Sequence, residues 1–172
     1  MENIMVDLET LGMTPGCVIL SIGAVAFDRT GLGREFYKVV NSKSCLDAGL
    51  TTDQSTVDWW SRQSDDARKV LIEAGETDTT LGDALAEFGQ FVREFGPRTV
   101  KVWGNGSDFD NAILACAYKA LGRQLPWQFW NNRCFRTLKN LKTGVEPRRE
   151  GTYHNALDDA KHQARHAIAL YQ

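Results

Sequence analysis

Apolar and polar positions change period several times along the chain, and each change marks an element. Residues 2 to 8, 17 to 28 and 34 to 40 (REFYKVV) carry apolar or alternating runs that predict three strands. The turns between them hold Gly12, Pro15 and Gly16, then Gly31 and Gly33, so the three strands predict an antiparallel meander. From residue 46 the period lengthens: LDAGL, STVDWWSRQ and DDARKVLIEAG read as helical. In LGDALAEFGQFVREFG, residues Leu81, Leu85, Phe88, Val92 and Phe95 recur at helical spacing. Thr80 with Asp83 predicts a capping box there, and Gly96-Pro97 a stop. TVKVWGN at 99 to 105 predicts a strand, and SDFDNAILACAYKALG a helix with Ser107 as its N-cap. A short strand near 132 to 135 precedes a final helix at about 156 to 171, with an apolar stripe of Leu157, Ala160, Ala164, Ile168 and Tyr171. Strands, then helices, then strand-helix-strand-helix predict a single α/β domain over residues 1 to 172: a mixed five-stranded sheet with helices on its faces.

Composition narrows the class. Apolar content of 42% and charged content of 24% are those of a globular domain. The longest apolar run, CVILSIGAVAF, is too short to span a membrane, and no basic-then-apolar leader opens the chain, so the expectation is a cytoplasmic protein without membrane contact. Cys17, Cys45, Cys116 and Cys134 form no CxxC pair and predict reduced, buried thiols. A net charge of −2 hides one asymmetry: RCFRTLKNLKTGVEPRR, residues 133 to 149, sets six basic residues against the single acid Glu146. Charge alone favours a solvated face for this stretch.

Three clusters of acids carry the candidate chemistry. In IMVDLET, Asp7 and Glu9 sit two apart on a predicted strand and share a face near its carboxyl end, where open α/β sheets place ligands. Buried together they repel, and a hard divalent cation, Mg²⁺ or Mn²⁺, resolves that conflict. In VWGNGSDFDNAIL, Asp108 and Asp110 lie at the start of a helix, where capping is the plain structural role and either acid can serve it. In YHNALDDAKHQARH, Asn155 caps a helix and His154 stands just before it. Asp158 and Asp159 flank the apolar stripe, and helical geometry leaves both open. His162 and His166 are at zinc-binding spacing, but Gln163 stands where a metalloprotease helix has Glu, so an exposed polar face is expected. Ser107 lacks a nucleophile elbow.

Taken together, VDLET followed by ILSIGAVAF, then GNGSDFD, then HNALDDA, resemble the three-motif signature of the DEDDh 3′→5′ exonucleases. That superfamily includes proofreading exonuclease subunits, ribonuclease T and oligoribonuclease. Within it, the compact length and STVDWWSRQ are similar to a small bacterial and phage branch, the Rv2179c-like 3′-5′ exoribonucleases. The resemblance spans nearly the whole chain, in order, and implies a ribonuclease H-like sheet. One departure is the Gly104-Asn105-Gly106 turn where many relatives have His-Asn, which leaves Asp108 beside Asp110. By resemblance, Asp7, Glu9, Asp110 and Asp159 hold two divalent cations, Mg²⁺ or Mn²⁺, and His154 is the general base. Thr10 and Leu11 would meet the terminal nucleotide, Trp60 or its neighbour Trp59 would stack on a base, and Arg148 and Arg149 would grip phosphates. Trp103, on a strand, is expected in the core.

The implied activity releases nucleoside 5′-monophosphates from the 3′ end of single-stranded DNA or RNA. The sequence does not choose between the polymers, because the 2′-OH is read by a few unlocated contacts. Relatives of this kind are often homodimers, so a homodimer is one implied form. A nucleic-acid-binding module without activity, or a nucleotidase acting on free nucleotides, are the alternatives. The first has no need of all five acid and histidine positions.

Overall fold

The computed structural model describes residues 1–142, 144 and 146–171; Thr143 and Val145 of the basic stretch, and Gln172, lie outside it. Strand β1 (Asn3–Thr10) is central. It pairs antiparallel with β2 (Ile19–Asp28), which pairs antiparallel with β3 (Gly31–Val39). On its other side β1 pairs parallel with β4 (Lys101–Gly104), and β4 parallel with β5 (Asn132–Cys134), giving the order β3-β2-β1-β4-β5. The mixed five-stranded sheet and the meander match the sequence expectation. Two bounds differ. β1 runs on to Thr10, which puts both Asp7 and Glu9 inside the strand, and residues 17 and 18 precede β2, with Cys17 bridging to Thr51.

Alternation along β1 sorts its side chains between two cores. Ile4, Val6 and Leu8 face α4 (Leu81–Arg93) and α5 (Asp110–Ala120), packing with Leu85, Phe88, Ile113 and Leu114. Met5 faces the other way, with Val25, Phe27 and Trp103, against α7 (Ala156–Leu170). A third, smaller cluster joins Leu20 and Trp60 to Ala67, Val70 and Ala74, from α2 (Gln54–Trp60) and α3 (Asp65–Glu76). The capping box of Thr80 and Asp83 is present at the start of α4. The LDAGL helix starts earlier and stops sooner, as α1 (Ser42–Asp47), because Asn41 caps it.

Three expectations need correction. Ser107 does not cap α5: it is exposed, the helix begins at Asp110, and the N-cap position, Phe109, makes no side-chain cap bond. A helix that the sequence pattern does not predict, α6 (Phe135–Leu141), follows β5 and packs on α7. That helix changes the environment of α7. His162 and His166 are buried rather than exposed, with the His166 ring 5.4 Å from that of Phe135 and His162 Nε2 3.1 Å from Glu146 Oε1. The face of α7 on the sheet is accordingly Ala156, Ala160, Ala164, Ala167 and Leu170, while Leu157, Ile168 and Tyr171 are partly exposed. All four cysteines are free; Cys17 and Cys45 are buried, Cys116 and Cys134 only half-buried. Among the described residues no helix is long and apolar enough to cross a membrane.

Small residues on α7 let it lie close to the sheet, and Gly23 sets how close. A Cβ at Gly23 would fall 2.1 Å from the Ala156 carbonyl carbon and 2.2 Å from the Leu157 nitrogen, both backbone atoms that cannot swing aside. Gly23 is paired with Asp7 across β1 and β2, so this contact brings the first turn of α7 over the acids. Gly23→Ala is expected to destabilise the protein by roughly 1–3 kcal/mol, the usual range for overpacking, in urea unfolding. An unchanged midpoint would mean that α7 is not fixed by this contact.

Candidate active site

The acids converge at the carboxyl end of β1. Asp7 and Glu9 lie on the α7 side of the sheet, on the same face as Met5. Asp110 arrives as the first residue of α5, which packs against β1 and β4 on the other face of the sheet. Its Oδ1 accepts the Leu8 backbone N–H (3.1 Å) and its Oδ2 accepts that of Asn105 (2.8 Å), which pins the carboxylate between β1 and the turn after β4. Gly104 makes room: a Cβ there would sit 2.9 Å from Asp110 Oδ2. Across the sheet, Gln163 Nε2 donates to Asp7 Oδ1 at 2.7 Å.

The start of α7 supplies the rest. His154 has a left-handed backbone (φ 61°), and its N–H donates to Asp159 Oδ2 at 3.0 Å. Its ring meets that of Trp59 edge-on at 4.9 Å. Glu9, His154 and Asp159 each offer a ligand atom within 4.8 Å of the others. Oδ1 of Asp159 is held by Arg149 at 2.6 Å, and that guanidinium lies 3.9 Å over the Tyr153 ring. The neighbouring acid is turned elsewhere. Asp158 accepts the Thr152 N–H at 2.8 Å and packs against Gly151, steadying the loop before the helix.

Burial and mutual repulsion perturb these carboxyls. Burial, then the charges of Asp110, Glu9 and Asp159, hold the Asp7 carboxyl well above its ordinary range. Burial, with Asp159 and Asp110, pushes Glu9 up to about 8, against a smaller opposing effect of Arg149. Burial raises Asp110 to about 6, restrained by the N–H groups of Asn105 and Leu8. Clustered carboxylates with one imidazole are a hard donor set of the kind that fits Mg²⁺ or Mn²⁺. A cavity of about 610 Å³ opens over the cluster, a size usual for small-ligand sites.

The structure separates the residues that the sequence motifs single out. Asp7, Glu9, His154 and Asp159 line the cavity, and buried Asp110 stands behind them, whereas Asp108 is exposed and outside it. Thr10 lines the cavity too, with its carbonyl accepting the Trp60 indole N–H at 2.9 Å. Trp60 is a buried wall, and Trp59 is the ring with an exposed face. Leu11 packs into the core; its N–H donates to the Val18 carbonyl and its own carbonyl accepts the Asp53 N–H, so its backbone is not free for a ligand. Arg148 is exposed and outside the cavity lining, and Arg149 grips Asp159 rather than facing solvent. Gln163 is a site residue that the motifs do not name. Its spacing of four from Asp159 places it on the same helical face, which is the one signal of it in the sequence.

Comparison with known proteins identifies the family and the fold. The family model described as a 3′-5′ exoribonuclease Rv2179c-like domain matches residues 2–171. The exodeoxyribonuclease of Enterobacteria phage T4 is 26% identical over 160 residues, covering 80% of this chain and 70% of the phage protein. Among solved structures, the nuclease domain of 3′hExo, a DEDDh family member bound to rAMP, superposes with a TM-score of 0.62 at 16% identity, covering 99% of this chain and 91% of that one. Exonuclease X in complex with 5′ overhanging duplex DNA superposes with a TM-score of 0.57 at 14% identity, covering 98% and 89%. At these identities the superpositions show a shared fold.

The raised carboxyls make stability depend on pH. A carboxyl whose pKa is higher folded than unfolded binds its proton more tightly in the folded protein. Its contribution is full below the unfolded value and is lost as pH rises through the folded one. For Glu9 that window runs from its ordinary 4.5 to about 8. In chelator, the melting temperature is therefore expected to fall between about pH 5 and about pH 8, and Mg²⁺ or Mn²⁺ to restore it most at the upper end. A flat profile in chelator would contradict the arrangement of charges described here.

Proposed function

The chain belongs to the Rv2179c-like 3′-5′ exoribonuclease domain family and is a 3′→5′ exonuclease; from that premise we propose that it hydrolyses the terminal phosphodiester of a single strand, releasing nucleoside 5′-monophosphates. The observation that carries this reading is the convergence of Asp7, Glu9, Asp110 and Asp159 with His154 beneath one cavity. Asp7, Glu9, Asp110 and Asp159 would hold two divalent cations. Bound there, such ions supply a Lewis acid that acidifies water and stabilises charge on a leaving oxygen.

The remaining steps fall to the chain's own groups. His154, steadied by its N–H bond to Asp159 and by Trp59, takes the proton of the attacking water as general base. Gln163 and the Leu8 and Asn105 amides hold Asp7 and Asp110 in fixed orientation, so no side chain need reorganise during attack. Thr10 and the exposed face of Trp59 form the wall against which the terminal nucleotide rests. The cavity is open to solvent on one side, and its buried wall of Trp60 suits one splayed nucleotide better than a paired end.

The matched family is described by its action on RNA and the phage relative by its name on DNA, so the proposed substrate is a single-stranded 3′ end of either polymer. A second copy of the chain is proposed as one assembly form. Matched strands of DNA and RNA, labelled at the 5′ end, are expected to shorten stepwise from the 3′ end with Mg²⁺ or Mn²⁺ present. Nucleoside 5′-monophosphates should appear by chromatography. Asp7→Asn, which keeps an acceptor for Gln163, is expected to lower kcat by at least about a hundredfold, the scale on which electrostatic groups of this kind act. His154→Gln should lower it by a similar factor while leaving the melting temperature in chelator within a few degrees of wild type. Turnover of free nucleotides but not of strands would instead make the protein a nucleotidase.

A further inference from the structure

A second surface, away from the acids, has the composition of a strand-binding track. The turn before β5 carries Phe129 and Trp130, 68% and 63% exposed, with their rings edge-on at 5.0 Å. The turn itself is firmly held: Trp127 Nε1 donates to Asn132 Oδ1 at 2.7 Å, Asn131 Nδ2 to the Arg98 carbonyl at 3.0 Å, and Arg133 to the Trp130 carbonyl at 3.1 Å. Two large aromatic rings displayed on a pinned turn are not there to fill a core. Between Asn111 and Val145 the sequence holds six Lys or Arg residues and no Asp or Glu, in a chain whose net charge is −2. Arg133 sits beside the aromatic pair. Arg136 is exposed three residues further on, and its Nη1 lies 3.9 Å from where a Cβ at Gly106 would sit, in the turn that carries Asn105.

Topology turns these residues into a path. β5 is the last strand of the sheet, and its outer edge is unpaired among the described residues. Its Cys134 is paired with Gly104, next to the turn whose Asn105 amide holds Asp110, while Asn132 and the aromatic turn lie at the other end. The three residues of β5 span about 10 Å. Aromatic faces for bases and guanidinium groups for phosphates, in one line towards the acid site, are the elements of non-specific single-strand binding.

We infer that the β5 edge, from Phe129 and Trp130 past Arg133 to Arg136, holds the upstream part of a single-stranded nucleic acid whose 3′ end occupies the acid site. This rests on the exonuclease reading and adds to it a length dependence. A strand that reaches the aromatic turn binds more tightly than a dinucleotide, which cannot reach it.

The test is the double variant F129A/W130A, both positions exposed, in the full-length protein. In chelator, where no cleavage occurs, fluorescence anisotropy with a labelled single strand of about twelve nucleotides should show affinity about tenfold weaker than wild type, in line with the loss of base stacking. Turnover of a dinucleotide with Mg²⁺ should change by less than about twofold. R136S should lower the slope of log affinity against log salt by about one. Unchanged affinity for the long strand overturns the track, as does an equal loss on strand and dinucleotide. If sedimentation shows a wild-type dimer that the double variant loses, the aromatic turn is a contact between copies and the track is likewise overturned. Failure of the exonuclease reading would appear separately, as absent wild-type turnover, which the anisotropy measurement does not depend on.

Discussion

Like charges placed together out of water constrain everything around them. Asp7, Glu9 and Asp110 are brought so close, and so far from solvent, that each carboxyl is held above its ordinary pKa. Desolvating a carboxylate costs several kcal/mol, and a hydrogen bond to a charged group returns about 1.5–3 kcal/mol. Two backbone amides on Asp110 therefore offset most of that cost, whereas the single amide of Gln163 on Asp7 does not. Glu9 gains only the distant effect of Arg149. The imbalance is local to the β1 side of the site, where the carboxylates of Asp7 and Glu9 and the acceptor atoms of His154 and Asp159 meet.

Several otherwise unconnected features serve this one arrangement. Gly23 lets α7 come down on the sheet beside Asp7, and Gly104 lets Asp110 reach β1. The left-handed backbone at His154 reverses the chain so that its N–H points at Asp159 while its ring lies against Trp59. Trp60 ties the end of β1 to α2 through the Thr10 carbonyl. Each contact joins parts of the chain that packing must bring together, so the site is specified by tertiary structure more than by any one segment.

The same dependence on packing decides what is legible in the chain. Asp7 and Glu9 are legible because strand alternation places them on one face whatever surrounds them. Asp110 and Asp159 are legible as members of pairs, but choosing within each pair needs the fold. Asp108 is left in solvent by a helix that starts later than its Ser107 cap signal implies, and Asp158 is engaged by the Gly151–Thr152 loop. The burial of His162 and His166 is hidden because α6, whose Phe135, Leu138 and Leu141 recur at helical spacing over only seven residues, covers that flank of α7 through a tertiary contact. Gly23 carries no sequence signal at all, since its role lies in a helix more than a hundred residues away.

Asp159 is used twice over. One oxygen holds the backbone of His154 and the other the guanidinium of Arg149, which also donates to the Thr152 carbonyl. Both contacts belong to the loop before α7, so a single carboxylate is the mooring of that loop as well as a member of the acid cluster. A cation on the Arg149-facing oxygen would share that oxygen with a group of its own charge. The order of that loop and the chemistry of the acid cluster thus draw on one carboxylate.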